Sequence, residues 1–335
     1  MICFSCKKEY QPRAIDTVTI KKITIDSTSI RAILPLAETK MSFAGSNGTI
    51  GFTADNGATW LRETITYKDS IQPSFRSIAS NSSNTFVLSV GNPALLYKVF
   101  NEATKIVYTE KHPNVFYDAM AFFDEQYGIA IGDPTENCIS VILTSDGGNT
   151  WQKVACNKLP AANEGEASFA ASNTNIAIVN NTVWVVTGGT KARVFKSTDK
   201  GQTWKVFDTP IIQGNGPQGI YSVDFHDENT GIIVGGDYSK PNENKATKAI
   251  TKDGGKTWTL VADGQSPAYK SCVQYVPNTN GKEVFAVGKT GISFSNDGGI
   301  TWKEVSTDGY YAIQFVNRNT AWLSGHQKIG KLVLK

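Results

Sequence analysis

The sequence has few of the residues that form metal centres. It contains three His, at positions 112, 226 and 326, and none belongs to an HExxH pattern or another paired spacing. Its five Cys are odd in number and show no zinc-binding spacing. The sequence therefore gives no signal for a metal site or a cofactor.

Common catalytic and nucleotide-binding motifs are also missing. No GxSxG pattern is present, so no Ser nucleophile is indicated. The stretch GNGPQG at Gly214 to Gly219 matches GxGxxG by letter. Pro217, however, stands where the first helical turn of a dinucleotide site should form, and no helical pattern follows.

Excess charge and long apolar runs are lacking as well. The 33 basic and 30 acidic residues leave a net charge of +3, which gives no reason to expect nucleic acid as a partner. No apolar stretch is long enough to span a membrane. With 30 Gly and 12 Pro, and few helical runs of Ala, Leu or Glu, the composition favours an all-β protein.

What the sequence does contain is one eight-residue phrase, Ser/Thr-x-Asp-x-Gly-x-Thr-Trp, in five copies. The Asp accepts hydrogen bonds within a tight turn, the Gly supplies a positive φ, and the Trp starts the next strand and buries its ring. We therefore expect five structural turns and not five catalytic acids. Their Asp and Trp residues are Asp55 and Trp60, Asp146 and Trp151, Asp199 and Trp204, Asp253 and Trp258, and Asp297 and Trp302.

The phrases belong to a longer repeat. Their spacing leaves room for a worn copy at Tyr97 to Tyr108, and units of about 45 residues are typical of β-propellers. A second pattern, a variable residue followed by Ala or Ser, opens a strand in seven units. We predict a seven-bladed β-propeller over residues 13–335, with four antiparallel strands in each blade. The N-terminal strand Thr17 to Ile25 is expected to complete the C-terminal blade and close the ring.

The phrase resembles the Asp-box, or BNR repeat, of sialidases, sortilin-type receptors and the photosystem II stability and assembly factors. The resemblance to the assembly-factor-like propellers covers nearly the whole chain. It also includes the Gly-ended strands in GIAIGDP (Gly128 to Pro134) and GIIVGGDY (Gly231 to Tyr238). It implies a non-enzymatic binding or assembly protein, with the box turns away from the functional face.

The predicted functional face is the mouth of the central channel, where loops carried on a rigid scaffold converge. The residues that open the inner strands, together with nearby turn residues, form the candidate binding site. They are Arg31, Arg76, Asp118, Asp133, Glu166, Arg193, Tyr221, Asp237, Lys270, Tyr311 and His326, with Lys289 beside them. An alternative is that these charges only solvate the channel and pair with one another.

A binding role is favoured over an enzyme, with a protein or a small or carbohydrate ligand as partner and a monomeric chain. The alternative is a glycoside hydrolase of sialidase-like or xyloglucanase-like type. Arg31, Arg76, Glu166 and either Tyr221 or Tyr311 would then take the sialidase roles. The chain has only six Arg, and Lys270 stands where a third Arg is wanted, which a Lys cannot replace. A xyloglucanase generally needs two propellers.

The first twelve residues are expected to form a tether. The start, Met-Ile-Cys-Phe-Ser-Cys before two Lys, resembles the end of a bacterial lipoprotein signal with Cys6 as the lipidated residue. Its apolar run is too short for a whole signal peptide. This interpretation predicts export to the periplasm or an outer-membrane lipoprotein, with the lipid as the only membrane contact. A cytoplasmic protein is the alternative.

Overall fold

The protein is all-β in the computed structural model, which describes residues 10–100 and 103–334. Cys3 and Cys6 lie outside this part. Twenty-eight strands and one 3-10 turn, Cys156–Lys158, make up the regular structure of the described residues. No helix of these residues is long and apolar enough to cross a membrane.

The strands form six antiparallel sheets, which we count as blades. Four blades have four strands each. Blade 2 contains β5 (Ser74–Ser80), β6 (Thr85–Val90), β7 (Ala94–Phe100) and β8 (Ala103–Glu110). Blade 3 contains β9 (Tyr117–Phe122), β10 (Gly128–Gly132), β11 (Ser140–Thr144) and β12 (Gln152–Lys153). Blade 4 contains β14 (Ile176–Val179), β15 (Thr182–Val186), β17 (Arg193–Ser197) and β18 (Lys205–Asp208). Blade 6 contains β23 (Cys272–Tyr275), β24 (Val284–Gly288), β25 (Gly291–Ser295) and β26 (Lys303–Ser306).

The other two blades have six strands each. Blade 1 contains β27 (Ala312–Phe315), β28 (Thr320–Val333), β1 (Ile20–Pro35), β2 (Met41–Gly45), β3 (Thr49–Thr53) and β4 (Leu61–Thr64). Blade 5 contains β13 (Glu166–Ala167), β16 (Gly188–Gly189), β19 (Gln218–Phe225), β20 (Gly231–Asp237), β21 (Lys248–Thr251) and β22 (Thr259–Leu260).

The predicted count of seven blades is therefore wrong, and so is the rule of four strands in every blade. The reason is strand β1, which continues through a residue with positive φ, Ser27 at 66°. Its first half pairs with β28, as at Ile20 and Leu332, and its second half pairs with β2, as at Ala32 and Ala44. The first and seventh sequence repeats thus share one hydrogen-bonded sheet.

The N-terminal strand does lie beside the C-terminal strands. Ile20 to Thr24 pair with Leu332 to Lys328 in antiparallel register. Strand β28 also turns back on itself, because Gln327 has a φ of 53° and the Leu334 amide donates to the Asn319 carbonyl. This pairing joins the N-terminal and C-terminal strands in one sheet, and it covers strand edges that the first and last repeats would otherwise leave open.

In all five box turns, the Asp carboxylate accepts from the Ser or Thr hydroxyl two residues before it and from the amide and hydroxyl of the Thr four residues after it. In the turn at Asp199, one carboxylate oxygen accepts from the Ser197 hydroxyl and from the backbone amides of Gln202 and Thr203. The other oxygen accepts from the Thr203 hydroxyl at 2.6 Å. The Trp204 indole donates to the carbonyl of Gly201, whose φ is 86°. Each of these acids is used by its own turn.

The core lies between neighbouring sheets. Phe86, Leu88 and Leu96 of blade 2 pack against Met120 and Ala130 of blade 3. Trp151 of the box turn packs into the same cluster. Gly148 of that turn leaves no room for a side chain, since a Cβ there would lie 2.4 Å from the Phe86 ring. Box turns are therefore packing elements between blades as well as hairpin connections.

One disulfide joins Cys138 and Cys156, and Cys272 is a free, buried thiol. The bridge links the start of β11 to the loop that follows β12. That loop leads to β13 at the rim of the channel, so the disulfide fixes the longest connection bordering the candidate site.

Candidate functional site

We call the end of the channel where the inner strands begin the upper face. An upper cavity of about 650 Å³ opens there. Five predicted site residues line it: Arg31, Arg76, Asp133, Tyr221 and Tyr311. They come from blades 1, 2, 3 and 5, so the propeller brings together residues that are far apart in sequence. The upper cavity is also lined by Phe116, Phe169, Tyr238, Tyr269, Ser271 and Lys289.

The floor of the upper cavity is a segment that crosses the channel, residues 168–175. Its carbonyls at Ala170 and Ala171 accept from Arg76 and Arg31, on one side of the channel. On the other side, Ser172 donates to the Ser271 carbonyl at 2.7 Å. We call this stretch the crossing segment.

Below the crossing segment lies a smaller lower cavity of about 320 Å³, at the face where the inner strands end. Asn173 reaches across to blades 2 and 3: its amide donates to the Ile78 carbonyl, and its oxygen accepts from the Met120 amide. Asn173 and Thr174 line the lower cavity, whereas Phe169 and Ala170 line the upper one. The crossing segment therefore separates the two ends of the channel.

Arg31 and Arg76 carry the positive charge of the upper cavity. Burial, followed by repulsion from Arg31, lowers the pKa of Arg76 to about 10, so it stays charged at neutral pH. Within the described part of the chain, no carboxylate oxygen lies within 4 Å of either guanidinium. The buried Nε of Arg31 has no hydrogen-bond partner among these residues. This charge is available to an anion.

Two carboxyl groups lie near this charge. Asp118 is fully buried behind the cavity, and burial and then the neighbouring Asp133 raise its pKa well above the usual range. Burial therefore favours the neutral form of Asp118 over a carboxylate that would offset the arginines. Burial raises the pKa of Asp133 to about 6, while its Oδ1 accepts from the Ser168 amide at 2.8 Å.

An aromatic wall faces the arginines. Phe169 and Tyr221 stack face to face with centroids 4.0 Å apart, and the Tyr269 ring meets Tyr221 edge-on at 4.9 Å. Tyr238, half exposed, extends the wall outward. The Arg31 guanidinium lies 4.1 Å from the centre of the Tyr311 ring. Planar rings and planar cations thus line one cavity.

Glu166 lines an adjoining cavity and binds Arg193. Two guanidinium nitrogens of Arg193 donate to the carboxylate oxygens of Glu166 at 2.9 and 2.5 Å, and the Thr187 hydroxyl donates at 2.6 Å. Burial alone would raise the Glu166 pKa, but these hydrogen bonds outweigh it and lower the pKa. Glu166 therefore serves its own loop and does not line the upper cavity.

The structure does not place Lys270 at the upper cavity, because the sequence alignment of that repeat is shifted by one residue. The Tyr275 amide donates to the side chain of Asp224. In the next repeat along the chain, the Phe315 amide donates in the same way to the side chain of Gln274. This pattern aligns Ser271 with Tyr221, and Ser271 lines the cavity. Lys270 is buried instead, with its Nζ 3.0 Å from the Gly291 carbonyl, and burial lowers its pKa to about 8.

Glu166 was misaligned for a similar reason. The eight residues of the crossing segment separate β13 from β14, so the Glu166-Ala167 pair is displaced to the edge of blade 5. Asp237 accepts from the amide and hydroxyl of Ser239 in its own turn. His326 lies exposed in β28, opposite Ser29. Neither lines the upper cavity.

Sequence reasoning found Tyr221 but missed the other rings of the aromatic wall. Tyr269 directly precedes the predicted site residue Lys270, and Tyr238 directly follows Asp237. Their positions next to predicted site residues could have identified both tyrosines from the sequence. Phe169 could not be found this way, because its place depends on the path of the crossing segment. Burial of Tyr221 raises its pKa, and its hydroxyl donates to the Pro217 carbonyl at 2.8 Å. Its hydroxyl is thus engaged in structure.

Comparisons with known proteins agree with this architecture. A family profile described as "Sortilin, neurotensin receptor 3" matches residues 139–291. The solved structure described as YCF48 bound to a D1 peptide superposes with a TM-score of 0.69 at 15% identity, covering 96% of this chain and 100% of that one. The chain is a β-propeller. YCF48 from Cyanidioschyzon merolae gives a TM-score of 0.66 at 13% identity, with 94% and 98% covered.

A WD40 propeller, that of Doa1, is also similar, with a TM-score of 0.63 at 12% identity and coverage of 98% and 97%. No curated protein sequence matches the chain. At these identities the similarity establishes the propeller fold, and the role of the upper cavity has to be argued from its own residues.

Proposed function

We propose that the chain is a non-enzymatic binding protein that recognises an acidic segment of another protein in its upper cavity. The observation that carries this proposal is the pair Arg31 and Arg76, close together and without a carboxylate partner among the described residues. An aspartate or glutamate of the partner would accept charge-assisted hydrogen bonds from these guanidinium groups.

The aromatic wall supports a peptide as the ligand. An apolar residue next to the acidic one would lie against Tyr221, Tyr238 and Tyr269, where it buries area at little entropic cost to these rigid rings. The similar YCF48 structure is described as bound to a D1 peptide, which is consistent with a protein partner for this fold.

Glycosidase chemistry has weaker support. The Tyr221 hydroxyl is held by a backbone carbonyl, and Glu166, which would have to activate a tyrosine, is paired with Arg193. Among the described residues, neither tyrosine hydroxyl is hydrogen-bonded to a carboxylate, as a sialidase needs. Tyr311 lies under Arg31 in a cation–π contact.

The proposal includes export and a lipid on Cys6. The Cys138–Cys156 disulfide supports it, because disulfides persist in oxidising compartments such as the periplasm. We propose a single propeller that acts as a monomer and is held at the membrane only by this lipid.

Fluorescence anisotropy with labelled peptides tests the binding function. Eight-residue peptides that place Asp or Glu beside Phe or Leu should bind the wild-type chain, and matched peptides with Lys should not. Arg76→Ala should weaken binding about tenfold or more, equivalent to at least about 1.4 kcal/mol. Arg62→Ala, which removes an exposed Arg from β4, is the matched control and should bind as wild type.

Equal binding of acidic and basic peptides, or an unchanged affinity in Arg76→Ala, would contradict the proposal. Turnover of fluorogenic sialosides or β-glucans that disappears in Tyr311→Phe would instead establish the hydrolase alternative.

A further inference from the structure

The N-terminal segment before β1 is fastened to the propeller by a buried carboxylate. Glu283 has no exposed surface, and its Oε1 accepts from the Arg13 amide at 2.8 Å. Its Oε2 accepts from Arg13 Nε and Nη2 at 2.9 and 2.5 Å, and the Tyr10 hydroxyl donates to its Oε1. Tyr10, which the sequence places in a tether, is thus bound to the propeller, and Pro12 lies next to the bound Arg13.

Further contacts continue along this segment, which we call the strap, residues 10–19. Arg13 also donates to the Asn319 side chain at 3.0 Å and to the Arg318 carbonyl at 2.8 Å. Asp16 forms an exposed ion pair with Lys303, and the Val18 amide donates to the Val305 carbonyl. The strap therefore has one path across the protein before β1 begins.

The contacts of Tyr10 and Arg13 lie on the lower side of the propeller. Glu283 pairs with Val276 just beyond the end of β23, and Asn319 lies in the turn between β27 and β28. Both turns follow the ends of inner strands. The upper cavity is formed where the inner strands begin, so the strap starts on the face opposite the cavity.

We propose that the strap sets the orientation of the protein at a membrane: the lower face is held towards the bilayer and the upper cavity points away from it. This inference rests on the proposed lipid at Cys6. Only three residues lie between Cys6 and Tyr10, and each of the four residue-to-residue steps of a fully extended chain spans at most about 3.6 Å, so the reach is about 14 Å. Tyr10, on the lower face, must stay within that distance of the lipid headgroups.

The height of the propeller makes the orientation measurable. The inner strand β19 has eight residues, which at roughly 3.3 Å per residue gives about 26 Å between the two faces. The reach of about 14 Å is shorter than this height, so the strap does not let the cavity turn to the bilayer. A partner of the upper cavity would therefore come from the aqueous side or extend well above the membrane.

Energy transfer to a membrane dye tests the orientation. The chain is expressed behind a bacterial lipoprotein signal so that Cys6 is acylated, and it is reconstituted in phosphatidylethanolamine and phosphatidylglycerol vesicles with a headgroup acceptor dye. A donor is attached either at Gln202→Cys, in an exposed box turn of the lower face, or at Asn215→Cys, in the exposed loop beside the cavity. We expect clearly stronger transfer from position 202.

The control releases the strap in the same two labelled chains. With Tyr10→Phe, Arg13→Ala and Asp16→Ala combined, the free chain between Cys6 and Val18 grows to twelve residue-to-residue steps, about 43 Å when extended. We expect the difference between the two labels to shrink at least about twofold, while circular dichroism shows an unchanged β-sheet fold. Equal transfer from both labels with the strap intact would overturn the proposal, as would a difference that survives strap release.

Mass spectrometry of the protein from its native membrane separates the two proposals. An unmodified Cys6 would contradict the lipid anchor, whereas the vesicle experiment supplies the lipid and judges the strap alone.

Discussion

At the residue scale, the Asp of each box turn is held by hydrogen bonds from its own turn. Asp199 accepts four hydrogen bonds from its own turn, and although burial raises its pKa, these bonds outweigh it and lower the pKa overall. A carboxylate engaged in this way is committed to structure. Three of these four hydrogen bonds recur at each of the other four boxes, which explains why the motif repeats without forming a site.

Asp199→Ala should destabilise the protein, because two turn amides and two hydroxyls lose their acceptor. The expected cost is roughly 1–3 kcal/mol in the free energy of unfolding, measured by urea denaturation. Asp208→Ala, an exposed aspartate at the end of β18, is the control and should change stability little. If both variants unfold alike, the turn contribution has been misjudged.

Asp133 should make peptide binding depend on pH. Its pKa of about 6 means that the carboxylate is charged at pH 7 and mostly neutral at pH 5. Protonation removes a negative charge beside Arg31 and Arg76, while the acids of a peptide remain ionised. The affinity for an acidic peptide should therefore rise as the pH falls from 7 to 5.

Asp133→Asn keeps an acceptor for the Ser168 amide and removes the titration. Titrations of labelled peptide should then give nearly the same affinity at both pH values. A variant that retains the full pH dependence would show that another group controls binding.

At the scale of single elements, the crossing segment decides what the channel can do. It supplies Phe169 to the upper cavity, accepts hydrogen bonds from both arginines and holds Asn173 between blades 2 and 3. Because it closes the channel, a ligand in the upper cavity meets a floor of backbone carbonyls already bonded to the cationic side chains. The arginines are thereby held in place before any ligand binds.

Asn173→Ala tests this element. The change leaves the buried Met120 amide and Ile78 carbonyl without partners, which should cost roughly 1–3 kcal/mol for each group. Thermal unfolding should show a lower melting temperature. The matched control is Asn278→Ala. Asn278 is exposed and has the same φ of 60°, so this variant places Ala in the left-handed region without removing a buried hydrogen bond. Equal losses in both variants would mean that strain, and not the lost hydrogen bonds, is responsible.

The same element marks the limit of what the sequence could predict. The strands and box turns follow from local patterns of two to eight residues, and the pairing of Ile20 to Thr24 with the C-terminus follows from an unmatched alternating strand. The crossing segment has no such pattern, since its path is set by contacts to several blades at once. Its eight extra residues displaced Glu166, and a shift of one residue displaced Lys270.

At the scale of the whole molecule, six sheets surround a channel with one charged, aromatic cavity and a strap on the opposite side. The number of sheets could not be read from seven repeats, because the continuity of β1 depends on a single residue, Ser27, in the left-handed region. The closure that the sequence indicated is the feature that merges the first and last repeats. The resulting scaffold separates the proposed binding face from the box turns and from the strap.

Hydrogen exchange of the complex with the native partner tests most directly whether the upper cavity is the binding surface. Bound partner should slow exchange in the crossing segment and in the segments around Gly216, Tyr238 and Lys289, with little change in the box turns. Protection confined to the box turns or to the outer strands β4, β12 and β18 would contradict it.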